Sequence, residues 1–425
     1  MKITKVSLAA LVALGAFSSV ASATPLEEAI KNVDLSGFAR YRYTNDNRDR
    51  KADTKAGTND TAGHAFRMQT SFKAAIDDNF FGVLTLRYAA TDGSGDNNEK
   101  RDANGEIIDG TDKTNTTNSF GVYEMYLGYK VSNTTITAGK QLIKTFYDDG
   151  DIAGTGLKAV STDVSGLTLT AAAYDALEDS TNEIDGPFLT TVTNSATFHD
   201  APANLYYLGA VGSYDPVSFK VAIANLQEIA TLYGAEAAFS FNVTDDINLN
   251  LKGQYVYSDS DHKKVADADF WAVQAGTKLF GAKFNAGYLE FDAKNKDNDA
   301  RNSGKIAFTS IDANGQLINP AKILNGAMSG SKQFYNNIKG DNDYWFVNTG
   351  YDIDKFGLGA GYTQGKGTSY ALNKERAKRN EWYAQASYKY SKKLNFLTWY
   401  AAAKDKKDGE SFKQNRIRFE AKYSF

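Results

Sequence analysis

Arg416-Ile417-Arg418-Phe419-Glu420-Ala421-Lys422-Tyr423-Ser424-Phe425 alternates without a break. Ile417, Phe419, Ala421, Tyr423 and Phe425 are apolar or aromatic, and the residues between them are polar. A period of two places the first set on one face of a β-strand and the second on the other. Such a strand, ending on a bare aromatic, gains little in a soluble protein. In a transmembrane barrel it turns the apolar side to lipid, the polar side to a wet lumen and the aromatic rings to the interface.

The pattern recurs upstream. In 35–43, Leu35, Ala39, Tyr41 and Tyr43 oppose Ser36, Arg40 and Arg42. In 64–76, Phe66, Met68, Phe72 and Ile76 oppose Arg67, Gln69, Ser71 and Lys73, and in 80–88, Leu84, Leu86 and Tyr88 oppose Thr85 and Arg87. The stretches 247–257 and 382–390 behave alike. Segments near 134–142, 157–164, 204–214, 283–292 and 394–403 have strand composition but no clear facing. The connectors alternate between short ones, such as Asp77-Asp78-Asn79 and Asp354-Lys355, and long ones near 45–62, 91–117, 145–156, 176–203, 259–268, 293–343, 365–378 and 405–412. Short turns on one rim and long loops on the other define an all-β, antiparallel transmembrane barrel of about 18 strands with both termini on the periplasmic side.

The beginning of the chain fits export. Met1-Lys2-Ile3-Thr4-Lys5 is basic, Val6 to Phe17 is a short apolar core, and Ala21-Ser22-Ala23 is a small-residue cleavage signature. Residues 1–23 are therefore expected to be a cleaved signal peptide and 24–425 the barrel domain. Loss of Lys2 and Lys5 takes the formal net charge from −3 to −5. There are no cysteines, so no disulfide framework contributes. No later stretch approaches the roughly 18 consecutive apolar residues of a membrane helix. The prolines at 25, 187, 202, 216 and 320 all fall in expected loops, turns or the lead-in, as a closed hydrogen-bonded sheet requires. A mildly acidic balance argues against nucleic-acid binding. Asp102-Ala103-Asn104-Gly105 and Asp312-Ala313-Asn314-Gly315 both predict hairpin turns.

Thr24-Pro25-Leu26-Glu27-Glu28-Ala29-Ile30-Lys31-Asn32-Val33-Asp34-Leu35-Ser36-Gly37, followed by Arg40-Tyr41-Arg42-Tyr43, resembles the mature start of the Campylobacter-type major outer membrane porin family. Ala138-Gly139-Lys140-Gln141, Gly154-Thr155-Gly156-Leu157-Lys158 and Val211-Gly212-Ser213-Tyr214-Asp215 extend the resemblance along the chain. It implies a homotrimeric general-diffusion porin of 18 strands, somewhat cation-selective and exposed as a surface antigen.

In a closed barrel the last strand pairs with the first. The inward sets of the last strand and the first three then form one wall carrying Arg40, Arg42, Arg67, Lys73, Arg87, Arg416 and Arg418, with Lys422 and a single acid, Glu420. A cluster of one sign must face water or carboxylates. The glycine-rich stretch Tyr147-Asp148-Asp149-Gly150-Asp151 is the candidate acidic partner, and the resembled family narrows its pore with a loop at this place. Opposed carboxylates and guanidinium groups would set a field across the eyelet. The resemblance also implies calcium in the pore, for which Asp148, Asp149 and Asp175 are the matching carboxylates; no cofactor is otherwise called for.

Enzymatic readings lack support. His64, His199 and His262 are scattered, and no nucleophile elbow or phosphate loop occurs. Three functions remain: a general-diffusion channel, a substrate-selective channel built on the same basic wall, and an adhesin whose barrel carries loops. The acidic loops 91–117 and 176–203 predict mild cation enrichment at the outer mouth.

Overall fold

The computed structural model describes residues 33–51, 61–93, 100–101, 107–109, 119–178, 204–263, 265–293, 307–311, 315–324, 341–369 and 375–425. The expected signal peptide and most of the acidic loops 91–117 and 176–203 lie outside the described residues.

The strands are β1 (Val33–Lys51), β2 (Thr61–Ala75), β3 (Phe80–Gly93), a short ribbon of β4 (Lys100–Arg101) and β5 (Ile107–Asp109), β6 (Gly121–Val131), β7 (Thr134–Leu142), β8 (Ala153–Ser161), β9 (Leu167–Glu178) and β10 (Leu205–Tyr214). They continue as β11 (Val217–Leu226), β12 (Ala230–Thr244), β13 (Ile247–Ser260), β14 (Ala268–Leu279), β15 (Ala282–Ala293), β16 (Asn342–Ile353), β17 (Phe356–Ser369), β18 (Glu375–Lys389), β19 (Leu394–Lys407) and β20 (Glu410–Ser424). All but the β4–β5 ribbon join one 18-stranded sheet, and β1 pairs antiparallel with both β2 and β20. The sheet is therefore closed, so no strand presents unpaired backbone groups to lipid. At the seam Gly37 and Phe425 exchange both backbone hydrogen bonds, at 3.2 and 3.1 Å.

Alternation sorts the side chains as expected for β20, β1, β2 and β3. Met68, Leu84, Ile417 and Phe419 are exposed on the outside, whereas Thr44, Asp46, Arg67 and Thr85 are buried inside. Aromatic rings gather at both membrane borders. Phe80 with Tyr129 and Phe356 with Tyr388 lie near the periplasmic turns at 4.7 Å each, and Trp345 with Tyr362 and Trp382 with Tyr400 lie near the opposite rim at 5.4 Å each.

The other half of the barrel is apolar on both faces. Leu205, Tyr207, Ala224, Leu232, Val256, Phe270, Leu289, Phe291, Tyr344 and Phe346 are buried inside, while Leu208, Ile223, Val273 and Val347 are exposed outside. This is why 204–214 and 283–292 show no facing in the sequence. Their inner residues pack against two connectors that fold into the lumen, 143–152 and the described parts of the β15–β16 connector, through Phe146, Ile152, Phe308, Ile311, Leu317 and Ile323. At Gly315, φ is +54° and an added Cβ would lie 2.8 Å from the Tyr147 backbone, so glycine lets the two connectors touch.

Three expectations need correction. The stretch 405–412 is not a loop: β19 and β20 run to a tight turn at Asp408 and Gly409, with φ of 47° and 87°. The strands bordering 45–62 and 365–378 also project further than expected, because beyond the membrane both of their faces are polar and the two-residue hydrophobic period disappears. Of the two Asn-Gly hairpins, the first is flanked by the β4–β5 pairing, but the second falls in the segment folded into the lumen.

Gly37→Val is expected to cripple closure. A Cβ there would collide with the Gln69 carbonyl oxygen and sit 2.9 Å from the Phe425 ring. A cost of about 1–3 kcal/mol would appear as a reduced fraction of heat-modifiable, folded barrel on cold electrophoresis; wild-type folding yield would disprove the role of the seam.

Candidate permeation site

Four adjacent strands build the basic wall. Arg40 lies opposite Arg67 on one side and Lys422 on the other, Arg42 opposite Glu420, Thr44 opposite Arg418 and Asp46 opposite Arg416. Arg42 Nε donates to Glu420 at 2.9 Å, and Arg40 Nε lies 4.0 Å from the same carboxylate. Arg416 Nε and Gln414 Nε2 donate to Asp46 at 2.7 and 2.8 Å. Arg418 donates to Thr44 Oγ1 at 3.3 Å and lies over the Trp399 ring at 5.1 Å. Lys73 sits apart, near the periplasmic end of β2, with its ammonium 4.6 Å from the Phe81 ring. All seven sequence-predicted bases thus line one inner wall.

The connector 143–152 brings an acid to that wall. Asp151 accepts from Arg67 Nη1 and from Arg87 Nη2, both at 2.8 Å. Burial works to raise the Asp151 pKa, but the two guanidinium groups outweigh it and hold the carboxyl below its ordinary range. Arg87 also stacks 3.4 Å over Tyr123, whose hydroxyl donates to the Asp151 backbone carbonyl at 2.5 Å.

Asp148 does not face the arginines, contrary to expectation. Its carboxylate turns back into its own loop and accepts from Thr145 N, from Thr145 Oγ1 at 2.7 Å and from Gly150 N at 2.8 Å. A short acid two residues before Gly150 satisfies local backbone donors more readily than it crosses the lumen. Burial pushes its pKa up to about 6. Asp149 is exposed and accepts from Asp151 N at 3.2 Å. Asp175 is exposed on β9. Among the described residues no three His, Asp or Glu side chains converge on a common point, so Asp148, Asp149 and Asp175 do not assemble a calcium site.

The middle of the connector spans to the far wall. Tyr147 donates to the carbonyls of Ala222 and Leu232, at 2.7 and 3.1 Å, on β11 and β12. The second inward segment locks onto the first through Ile311 N to Tyr147 O at 2.8 Å and Gln316 Nε2 to Thr145 O at 2.7 Å. Its other end is held by Glu381 of β18, which accepts from the backbone N–H groups of Lys322, Ile323 and Leu324 at 2.5, 2.8 and 2.7 Å. Sequence reasoning missed Glu381, Tyr123, Asp46 and the buried pair Arg379–Asp405 at 2.9 Å. Asp46 and Asp405 were hidden by the projecting strands. Tyr123 sits where the register between β3 and β6 slips at Thr85/Leu86, which puts both Tyr123 and Glu124 inside. The break in alternation at Val122-Tyr123-Glu124-Met125 is its signal.

A family model, the Campylobacter major outer membrane protein, matches residues 1–425. The chain belongs to this family. Its members are porins, channels rather than enzymes, and the barrel has the form that such proteins take in the outer membrane. Solved structures of similar fold include OpdQ of Pseudomonas aeruginosa, with 13% identity, 92% of this chain and 99% of that one covered, and a TM-score of 0.64. A BenF-like porin from Pseudomonas fluorescens Pf-5 has 16% identity, 92% and 99% coverage and a TM-score of 0.62. OccAB2 of Acinetobacter baumannii has 16%, 92%, 98% and 0.61. At these identities the likeness speaks for the fold alone. No curated protein matches in sequence.

The inward connector should be pH-sensitive. The Asp148 pKa is raised from 3.8 to about 6, so its contribution to docking is complete below about 3.8 and is lost as pH rises through about 6. Asp151, shifted the other way, stays ionised between pH 5 and 8 and leaves that window unchanged. Amide protection across 143–152 should increase from pH 8 to pH 5, by at most about 3 kcal/mol, and Asp148→Asn should abolish the change. Equal protection factors at both pH values in the wild type would refute it.

Proposed function

We propose that the barrel is a general-diffusion channel for ions and small hydrophilic solutes, constricted between the basic wall of β20, β1, β2 and β3 and the two inward connectors. The observation that carries this is the division of the interior. Apolar connector side chains fill the side of β10 to β16, while polar and charged groups line the opposite wall. Solutes pass along the charged side, where Arg67, Arg87 and Asp151 meet at 2.8 Å. The acidic outer loops 91–117 and 176–203 enrich cations at the mouth and make the channel mildly cation-selective.

One observation favours a second reading, a channel selective for anionic solutes. Asp148 is turned away and Asp151 is held by two arginines, so the constriction keeps a surplus of positive charge from Arg40, Arg42, Arg416 and Arg418 against Glu420 and Asp46. Export by a signal peptide at 1–23, assembly as a homotrimer, and display of the outer loops as a surface antigen or adhesin complete the proposal.

Reversal potentials across planar bilayers in a potassium chloride gradient decide between the two. Cation preference at about 0.1 M salt that fades toward 1 M, where the Debye length falls from about 10 Å to about 3 Å, supports the first. Anion preference at low salt supports the second. Asp151→Asn should move the reversal potential toward anions, and Arg40→Gln with Arg416→Gln toward cations; no movement in either places these residues off the path.

A homotrimer should run on cold electrophoresis as a band near three times the monomer mass that collapses on boiling. Monomeric mass in native light scattering as well would count against it.

A further inference from the structure

The outer face of β17, β18 and β19 carries an unusual arrangement of charge beside the aromatic belt. Lys366 lies directly opposite Lys378, and Lys378 directly opposite Lys406. Two residues nearer the belt, Lys404 lies opposite Asn380 on one side and Lys413 of β20 on the other. The neighbouring positions Thr363, Ala377, Arg379, Ala403 and Asp405 are buried inside the barrel, so the lysines project from its outside. The register ends at β1, where Asp49 lies across from Lys413.

Like charges directly opposite each other on adjacent strands are destabilising. Three lysines in one row and two in the next need a source of negative charge. The chain supplies little of it. The acid opposite Lys366 is Asp343, and it is bonded to Arg376, which also lies 3.6 Å from Asp341. Among the described residues Lys366, Lys378, Lys404 and Lys406 make no ion pair or hydrogen bond to another side chain. They border a groove of about 330 Å³ with Gln364 and Asn380.

Position says where the missing anion comes from. Lys366, Lys378 and Lys404 each stand four residues beyond a ring of the belt, namely Tyr362, Trp382 and Tyr400. Four residues are about 13 Å along a strand, less once the strand is tilted. That height is the headgroup layer of the outer leaflet. The lumen cannot supply the anion, because the buried Arg379–Asp405 pair and the sheet itself lie between. Row spacing of about 5 Å between opposed lysines suits ammonium groups converging on a phosphate, a group with several strong acceptor oxygens.

We propose that this groove is a binding site for the phosphate groups of a phosphorylated glycolipid in the outer leaflet. The site holds lipid against one sector of the barrel wall. Its lysines neutralise the phosphate charge, and the Trp382 and Tyr362 rings contact the acyl-chain border below.

The probe is diphosphorylated lipid A, titrated into detergent-solubilised full-length protein and followed by native mass spectrometry. Wild type should bind it about tenfold or more tightly than the same glycolipid stripped of phosphate, and salt should weaken the binding. Combined replacement of Lys366, Lys378, Lys404 and Lys406 by Gln should remove that preference, with heat-modifiability and unitary conductance unchanged. Lys283→Gln, at the periplasmic rim, should bind as wild type does. If the fourfold variant fails to fold, Lys378→Gln, at the centre of the row, should still weaken binding several-fold, and Lys378→Arg should restore it. Equal binding of the dephosphorylated lipid, or unchanged binding by the lysine variants, overturns the site. So does tighter binding of a soluble sulfated polysaccharide at the same lysines, which would make the ligand a surface polymer, or loss of the oligomer in the variant, which would make the face a contact between copies.

Discussion

Closure of the sheet is the constraint from which the rest follows. Within lipid every backbone N–H and C=O must find a partner in the protein. The chain meets this by pairing its first and last strands over their lengths, from Phe38 opposite Ser424 to Lys51 opposite Ser411. With the seam closed, the side-chain period of two becomes a strict inside-outside division. One residue of slip would turn Arg40, Arg42, Arg416 and Arg418 into the membrane and Tyr41, Tyr43, Ile417 and Phe419 into the lumen. The register at the seam therefore fixes the chemistry of the pore wall as well as the fold.

Closure leaves the interior to be divided, and the two inward connectors divide it unequally. They cover the half of the wall whose inner positions are apolar and leave the charged half facing open space. Their own backbone groups then need partners away from the strands. Glu381 takes three successive N–H groups, Gln254 pairs with Ile318 N and Gln316 O at 2.7 and 3.0 Å, and Tyr147 caps two strand carbonyls. Polar side chains projecting from the wall thus anchor the connectors, and apolar packing fills the space between. A connector secured in this way can hold Asp151 within hydrogen-bond distance of two arginines, where an exposed acidic loop would be too mobile to do so.

The fold was largely legible in the sequence where one face met water and the other lipid. β1, β2, β3, β13 and β20 announce themselves by alternation, and the basic wall follows from pairing the last strand with the first. The rest was hidden for definable reasons. Strands packed on inward connectors are apolar on both faces and lose the alternation. Strand ends beyond the membrane are polar on both faces and pass for loops, which concealed Asp46 and Asp405. The bulge at Tyr123 looks like an error in the period. Within the site, the number of acids in 147–151 was correctly seen, but residue type alone could not say which of them would be consumed by its own loop.

Those three aspartates show how little composition settles once geometry is fixed. Asp151 ends the connector where β8 begins, so the strand aims it at Arg67 and Arg87. Asp148 lies inside the tightest part of the bend, where Thr145 and Gly150 offer backbone donors at once, and local hydrogen bonds compete successfully with distant charge. Asp149 points to open space. The same sorting applies to the cations of the barrel. Those inside have ionic, hydroxyl or aromatic partners close by, because a charge held in a narrow lumen without one is costly. The lysines on the outer collar of β17 to β19 lack such partners among the described residues. They can do so only because the medium at that height supplies counter-charge, so the uneven pairing of cations inside and outside the wall marks the boundary between protein and membrane surface.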